Sequence, residues 1–240
     1  MSLPPPLADR LRYLADLGWE DIYRVPPTAV PSAVDGASAS SSAVPTDAPF
    51  IDAAARLDAL GREAAECRAC RLCEARNRVV FGVGDARARL MFVGEGPGAE
   101  EDRQGLPFVG RAGELLDKMI RAIELDRERV YIANVVKCRP PGNRDPQPDE
   151  VEACRRFLEG QIDAIAPALL VCLGRVAAQS LLGTDEPLGR MRGATYQVRG
   201  VETRVTYHPA ALLRNAALKR PAWEDLQQIR DRLRELSGGG

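Results

Sequence analysis

A glycine-rich run with acidic residues stands near the middle of the chain. Glu95 lies within Gly94–Gly98, and Glu101 follows it closely. Glycines let a ligand approach the backbone, and a nearby carboxylate can hold a water or stabilise a developing cation, as in glycoside cleavage. The phosphate-binding patterns G-x-x-x-x-G-K and G-x-G-x-x-G are absent here, and carboxylates repel phosphate. The run therefore indicates hydrolytic chemistry, although a strand-to-helix turn with acids at a helix N-terminus has the same pattern.

The chain has a single histidine, His208, between Tyr207 and Pro209. It cannot share a metal ion with a second histidine, and the following proline should fix the direction of its ring. A lone histidine is more often a hydrogen-bonded structural residue. Its predicted position at the end of a strand, beside the other polar segments, favours a role in a site.

Basic residues cluster in the loops predicted for the same edge of the fold. They are Lys137, Arg139 and Arg144 in one loop, Arg190 and Arg192 in a second, and Arg214 after the histidine turn. Such side chains suit phosphate contacts, which position a nucleic acid without reading its sequence. The net charge of the whole chain is −1, so a nucleic-acid surface must be a local patch. For any one loop taken singly, a solvated charged surface is the simpler interpretation.

Six cysteines form a second chemical group, and they are Cys67, Cys70, Cys73, Cys138, Cys154 and Cys172. The first three make two overlapping C-x-x-C pairs, while Cys138 and Cys154 stand far downstream. Four thiolates can bind zinc or an iron–sulfur cluster, and the spacing does not choose between them. Cys172 lies in an apolar run and is predicted to be a core residue. Cys73 is ambiguous.

The elements that must position these residues alternate between strands and helices. Apolar runs predict strands over Leu90–Val93, Val130–Val136, Leu169–Leu173 and Val201–Tyr207, with helices at about residues 51–67, 149–165 and 223–236. Nearly continuous apolar strands separated by helices predict an α/β fold with a parallel, doubly wound sheet. Ligands bind such sheets outside the carboxyl ends of the strands. We therefore expect the glycine run, the 134–143 segment and the histidine turn to line one cleft.

The amino-terminal part of the chain differs in composition. Residues 1–25 predict a short amphipathic helix, with leucines at helical spacing from Leu7 to Leu17. Residues 26–49 are rich in Pro, Ala and Ser and predict a flexible linker, so the folded domain is expected over residues 50–240. The helix is expected either to bind a protein partner or to pack back on the domain. There is no membrane-span pattern and no secretory signal, so we expect a cytoplasmic protein without membrane contact.

Four long segments together resemble one known family. The segments are Gly94–Asp102, Gly105–Gly113, Asn134–Pro141 and Tyr207–Arg214. They are similar to the motifs of the iron–sulfur (family 4) uracil-DNA glycosylases, and the resemblance covers about residues 64–236. It implies a three-layer α/β/α sandwich with a mostly parallel central sheet. It also implies a four-iron, four-sulfur (4Fe-4S) cluster.

In that family four cysteines hold the cluster, and they match Cys67, Cys70, Cys138 and Cys154. A register in which Cys73 replaces a neighbour stays open. The partner implied by the resemblance is uracil-containing DNA, and we expect the protein to act as a monomer.

The resemblance also implies roles for residues of the cleft. Such enzymes flip uracil out of DNA and hydrolyse its N-glycosidic bond, leaving an abasic site. Phe108 resembles the stacking ring and Asn134 the side chain that reads uracil, while the backbone of Gly96 and Gly98 approaches the base. The residues matching the family's catalytic positions are Glu95, Glu101 and His208.

Two other classes of protein share parts of this pattern. A non-catalytic iron–sulfur protein that binds nucleic acid would need the cysteines and the basic loops, but not Asn134 and His208 in one place. A metalloprotein that transfers electrons is disfavoured by the arginine-rich loops around a catalytic-looking cleft.

Overall fold

The computed structural model of the protein describes residues 48–238. The predicted amino-terminal helix and nearly all of the predicted linker lie outside the described residues. The first helix, α1, begins at Ala48, two residues before the predicted start of the folded domain. Within residues 48–238, no helix is both long enough and apolar enough to cross a membrane.

A six-stranded sheet forms the centre of the described domain. In chain order the strands are β1 (Val83–Gly84), β2 (Leu90–Gly94), β3 (Tyr131–Asn134), β4 (Leu169–Leu173), β5 (Tyr196–Val198) and β6 (Val201–Thr206). Their spatial order is β1-β3-β2-β4-β6-β5. The four central strands run parallel, as predicted, and each edge strand is antiparallel to its neighbour. The edge strands were not predicted, because two or three residues show no hydrophobic period.

Helices follow the strands in the alternation expected from the sequence. They are α1 (Ala48–Glu66), α2 (Ala99–Gln104), α3 (Arg111–Ala122), α4 (Pro148–Ile165), α5 (Arg175–Leu182), α6 (Leu188–Met191), α7 (Pro209–Arg214) and α8 (Lys219–Gly238). Four 3-10 turns at Arg71–Glu74, Arg127–Arg129, Pro141–Asn143 and Ala216–Leu218 complete the described elements.

Two hydrophobic clusters, one on each face of the sheet, make the domain a three-layer sandwich. One cluster packs α1, α4 and α5 on the sheet through side chains such as Phe157 and Ile162. The other packs α3, α7 and α8 on the opposite face, with Met119, Trp223 and Leu226 at its centre. The predicted α/β/α sandwich with a mostly parallel sheet is therefore confirmed.

Strand register sets the position of the cleft. Gly94 at the end of β2 pairs with Asn134 at the end of β3, and Leu173 at the end of β4 pairs with Thr206 at the end of β6. All four central strands thus end at the same edge. The segments that follow them must share that edge, as the parallel topology requires.

Candidate active site

A cavity of about 500 Å³ opens at the carboxyl ends of the central strands. Most of the predicted site residues line it, namely Glu95, Gly96, Gly98, Glu101, Phe108, Asn134, Arg144, His208 and Arg214. They come from separate parts of the chain, as the sequence predicted. The structure therefore joins the acidic, aromatic, amide and imidazole groups in one cleft.

Asn134 supplies a buried amide at the floor of this cavity. Its side chain is 1% exposed, and its Oδ1 atom has no hydrogen-bond partner among the described residues. A buried acceptor without a partner costs free energy, about 1–3 kcal/mol, unless a ligand supplies the missing donor. The site is therefore built to receive an N–H group at Oδ1.

Gly94 makes room for this arrangement. A Cβ atom at Gly94 would lie 2.4 Å from Oδ1 of Asn134 and 2.7 Å from Cζ of Phe108. Both side chains would have to move if any other residue stood there. The missing side chain at the end of β2 therefore leaves space for the amide of Asn134 and the ring of Phe108 next to each other.

Phe108 forms an aromatic wall of the cavity. Its backbone has a φ of 51°, an uncommon conformation for a large side chain. The centroid of its ring lies 5.5 Å from that of His208, with 31° between the two planes. A flat ligand entering the cavity would thus meet the phenyl ring together with the imidazole.

His208 immediately precedes α7, and its ring is oriented by that helix. Its Nδ1 atom accepts a hydrogen bond of 3.1 Å from the backbone N–H of Ala210. Burial, with a smaller contribution from Arg214, lowers the pKa of His208 to about 4. The imidazole is therefore neutral at pH 7, and because Nδ1 is an acceptor the proton is on Nε2. His208 can donate one hydrogen bond from Nε2 without carrying a charge.

The two predicted catalytic acids have different environments. Burial, reinforced by the negative charge of Asp145, raises the pKa of Glu95 to about 7, while Arg175 and Arg214 oppose this rise. Glu101 instead accepts two hydrogen bonds of 2.9 Å at Oε1, from the backbone N–H groups of Val109 and Gly110. Glu95 is thus suited to proton chemistry, whereas Glu101 holds the loop that follows Phe108.

Three of the predicted phosphate contacts lie at or near the cleft. Arg214 is exposed at its mouth. Arg139 is partly buried and donates from Nε to Oδ1 of Asn143 at 2.8 Å. Arg144 lines the cavity while its guanidinium binds both carboxylate oxygens of Glu150, at 2.6 and 2.8 Å.

Two predicted DNA contacts are wrong. Lys137 is 1% exposed, and its Nζ donates to the backbone oxygen of Asn134 at 2.8 Å and to Oε1 of Gln161 at 2.6 Å. The side chain of Arg192 is 16% exposed and makes a two-pronged ion pair with Asp225 at 2.8 and 3.0 Å. Both side chains are turned inward, and neither lines the cavity. Membership in an arginine-rich loop does not reveal which way a side chain points.

Sequence reasoning missed an ion pair at the mouth of the cavity. Arg175, the first residue of α5, donates from Nη2 to Oδ2 of Asp145 at 2.6 Å, and both line the cleft. The signal was present, because Arg175 directly follows Gly174 at the end of β4. A residue at that strand end is expected to border the cleft, since all four central strands meet at one edge.

Five cysteines surround a second, smaller cavity. Its lining includes Cys67, Cys70, Cys73, Cys138 and Cys154. Nη1 of Arg76 donates to Sγ of Cys138 at 3.1 Å, and the backbone N–H of Lys137 donates to Sγ of Cys154 at 3.2 Å. Hydrogen bonds to sulfur are among the contacts by which proteins tune iron–sulfur clusters. The donor set therefore fits such a group, and Cys73 stands close enough to leave the choice of ligands open.

Cys172 lies apart from the other five cysteines. Cys172 is fully buried within β4, and it does not line the cavity of the other five. Between residues 48 and 238, no three His, Cys, Asp or Glu side chains, these five thiols included, lie close enough together to hold a single metal ion. A four-iron cluster needs a wider spacing, because each of its four thiolates binds a different iron atom.

Comparison with known proteins identifies the family. Residues 81–227 match the model of the uracil DNA glycosylase superfamily. A type-4 uracil-DNA glycosylase of Archaeoglobus fulgidus is 45% identical over 181 residues, which cover 72% of this chain and 91% of the relative. Type-4 uracil-DNA glycosylases of Sulfurisphaera tokodaii and Thermotoga maritima are 44% and 45% identical, with 73% and 69% of this chain and 84% and 88% of those proteins covered. The chain therefore belongs to the uracil DNA glycosylase superfamily, in its type-4 group.

Proposed function

We propose that this protein is a base-excision repair glycosylase that flips uracil out of DNA and hydrolyses its N-glycosidic bond. The observation that carries the proposal is the unpartnered Oδ1 of Asn134 at the floor of the cleft, beside Phe108 and His208. The family to which the chain belongs supports the same activity.

The amide of Asn134 matches the edge of uracil. Its Oδ1 accepts a hydrogen bond from N3–H, and its Nδ2 donates to O4. Cytosine presents an acceptor at N3 and a donor at N4, so both contacts are reversed. Because Oδ1 is buried and has no partner among residues 48–238, uracil supplies the donor that this site lacks.

Phe108 and His208 act on the two remaining features of the base. The ring of Phe108 stacks on the flipped base, a contact that glycosylases use to hold an extruded nucleotide. As the bond between C1′ and N1 breaks, its electron pair moves to uracil and negative charge grows at O2. The Nε2–H of neutral His208 donates to O2, and this pre-aligned donor stabilises the charge.

Glu95 serves the sugar side of the reaction. The departing base leaves positive charge on the sugar, and an ionised Glu95 stabilises it. The same carboxylate takes the proton from the water whose oxygen forms the new bond to C1′. A pKa of about 7 suits an acceptor that must take up and release a proton near neutral pH.

DNA contacts at the mouth are proposed for Arg139, Arg144 and Arg214, together with Arg175. These cations would neutralise phosphates on both sides of the flipped nucleotide. The ion pairs of Arg144 with Glu150 and of Arg175 with Asp145 must loosen for these two arginines to take part.

The proposed cofactor is a 4Fe-4S cluster held by Cys67, Cys70, Cys138 and Cys154. When bound, the cluster would link the end of α1, the loop after β3 and α4, and it could in principle exchange electrons. The fit of the five-cysteine cavity and its two N–H donors to sulfur supports this proposal. Anaerobically purified protein should contain iron and sulfide and absorb broadly near about 400 nm. One zinc per chain with no iron would refute it.

We also propose three properties of the whole molecule: it is a monomer, it is cytoplasmic, and residues 1–25 either bind a protein partner or pack back on the domain. Of these three, the monomer can be measured directly. Light scattering of the purified protein with and without uracil-containing DNA tests it.

The activity itself is tested with a single-stranded oligonucleotide that carries one uracil. Excision leaves an abasic site, which alkali converts to a strand break. The wild type should cut only where uracil stands, and Asn134→Ala should lose most of this activity while its fold, measured by circular dichroism, is unchanged. A wild type with its cofactor bound that binds the strand and releases no uracil would instead be a non-catalytic nucleic-acid-binding protein.

A further inference from the structure

The backbone at Phe108 is held in place by two charged side chains from outside the loop. Phe108 is one of five non-glycine residues with positive φ in the described part of the chain. A large residue keeps such a conformation only where the surrounding contacts enforce it, and these positions cluster at functional sites. The contacts that enforce it here should therefore affect how the ring is presented.

Glu101 holds one side of the loop. Its Oε1 accepts hydrogen bonds from the N–H groups of Val109 and Gly110, the two residues after the ring. Gly113 lets α3 begin directly against the loop, since a Cβ there would come within 1.9 Å of the backbone oxygen of Phe108. Both contacts fix the carboxyl side of Phe108 and leave the amino side to a different residue.

Arg127 contacts both sides of Phe108, including the amino side. Its Nη1 donates to the backbone oxygen of Phe108 at 3.1 Å, and its Nη2 donates to the backbone oxygen of Pro107. Its Nη1 also contacts Oδ1 of Asp117 on α3 at 2.7 Å, which anchors the guanidinium. One planar group thus joins both carbonyls that flank the strained residue, a fork that lysine cannot reproduce.

We infer that Arg127 is a positioning residue for uracil excision, because it sets the backbone of Phe108 and thereby the angle at which the ring meets the flipped base. The inference rests on the proposed stacking role of Phe108. Arg127 does not line the cavity, so it acts on the base only through the loop. Its side chain is 26% exposed, and it lies in the turn between α3 and β3, outside the four motif segments.

The first test is a double-mutant cycle on single-turnover excision. Stacking of a base on an aromatic side chain is worth roughly 5- to 150-fold. Phe108→Ala should lower kcat/KM within that range, and Arg127→Ala should lower it by on the order of 10-fold, a part of the same effect. Added to Phe108→Ala, Arg127→Ala should cause no further loss, because the ring it positions is gone. Arg127→Lys, which keeps the charge but not the fork, should lie between Arg127→Ala and the wild type.

The matched control is Arg103→Ala on α2, whose guanidinium pairs with Glu100 on the exposed surface. It should excise uracil at the wild-type rate. Full additivity of Arg127→Ala and Phe108→Ala would overturn the inference, since Arg127 would then act on folding or on DNA rather than on the ring.

The second test does not depend on activity. The chain has five phenylalanines, so protein labelled with 4-fluorophenylalanine gives a 19F spectrum simple enough to assign, with Phe108→Leu identifying the Phe108 signal. Arg127→Ala should shift or broaden the Phe108 signal and leave those of buried Phe92 and Phe157 in place. An unmoved Phe108 signal would refute the inference even if uracil excision is confirmed. A moved signal in a protein that excises no uracil would instead reject the proposed function and keep Arg127 as the residue that sets the ring.

Discussion

The raised pKa of Glu95 makes the pH dependence of uracil excision predictable. Its carboxyl has a pKa of about 7, chiefly because it is buried. If the ionised form carries the reaction, the ionised fraction is roughly 9% at pH 6 and 91% at pH 8, which predicts about a tenfold rise in kcat/KM over this interval. The pKa of His208 is about 4, so titration of His208 should not change the rate in this pH range.

Removing a charge near Glu95 should shift the midpoint of the pH profile, and the sign of that charge sets the direction of the shift. Asp145 raises the pKa of Glu95, so Asp145→Asn should move the midpoint to lower pH. Arg175 lowers it, so Arg175→Ala should move the midpoint to higher pH. Asp163→Asn, on the exposed surface where Asp163 pairs with Arg199, should leave the midpoint where it is. Opposite shifts from two partners of one ion pair would be difficult to explain by a general loss of DNA binding.

The assay is single-turnover excision from a uracil-containing single strand at subsaturating enzyme, from pH 5.5 to 9 at constant ionic strength. Under these conditions the profile reports the pKa values of the free enzyme. Glu95→Gln should lower the rate at pH 8 and remove the rise. A wild-type profile that is flat between pH 6 and 8 would refute the reasoning. A Glu95→Gln variant that keeps the wild-type rise of the rate with pH would also refute it.

Stability should respond in the opposite direction. The folded-state pKa of Glu95 lies above the value of about 4.3 expected in an unfolded chain, so the folded state holds the proton more tightly. Ionisation of Glu95 therefore lowers the free energy of unfolding. This loss is absent below the pKa of the unfolded state and grows as the pH rises towards 7. Glu95→Gln should therefore raise the unfolding temperature at pH 8 and leave it nearly unchanged at pH 4. Unfolding is followed by circular dichroism. Equal changes of the unfolding temperature at pH 4 and pH 8 would contradict this prediction.

Three further changes separate the roles in the cleft. Asn134→Asp loses the donor to O4 of uracil and should reduce excision by roughly 5- to 150-fold, with a trace of cytosine release; unaltered base preference in the strand-cleavage assay would exclude Asn134 as the reading residue. His208→Ala should lower the single-turnover rate by about 100- to 1000-fold with little change in DNA affinity, and a normal rate would make it a turn residue only. Arg214→Ala should weaken binding and reduce the slope of affinity against salt by about one phosphate contact, measured by fluorescence anisotropy, and an unchanged slope would remove it from the interface.

Much of the candidate site followed from the order of elements along the chain. Leu169–Leu173 is observed at its predicted bounds, and Leu90–Val93 is extended only by Gly94. Parallel strands end at one edge, so the position of Glu95, Asn134 and His208 in one cleft could be inferred without coordinates. The three motif segments that follow these strands can be recognised from their own residues, which is why these site residues could be predicted from the sequence.

Side-chain direction and local environment could not be inferred in the same way. Lys137 and Arg139 are two positions apart in one loop, yet Lys137 is buried against Gln161 and Arg139 is partly exposed. Outside regular strands and helices no period relates residue number to a face, so only packing decides which cation meets solvent. The predictions for Lys137 and Arg192 failed for this reason.

The sequence by itself determined the α/β class, the parallel central strands, the shared cleft and the resemblance to one family, because hydrophobic period and motif spacing are local properties. Only the tertiary structure distinguished the two acids, with Glu95 lining the cavity and Glu101 bound to the loop of Phe108. It alone showed that Arg127 hydrogen-bonds to that loop, although Arg127 lies 19 residues from Phe108 in the chain. Burial, charge and hydrogen bonding at each of these groups depend on residues distant in the chain, and the sequence pattern around a residue does not contain them.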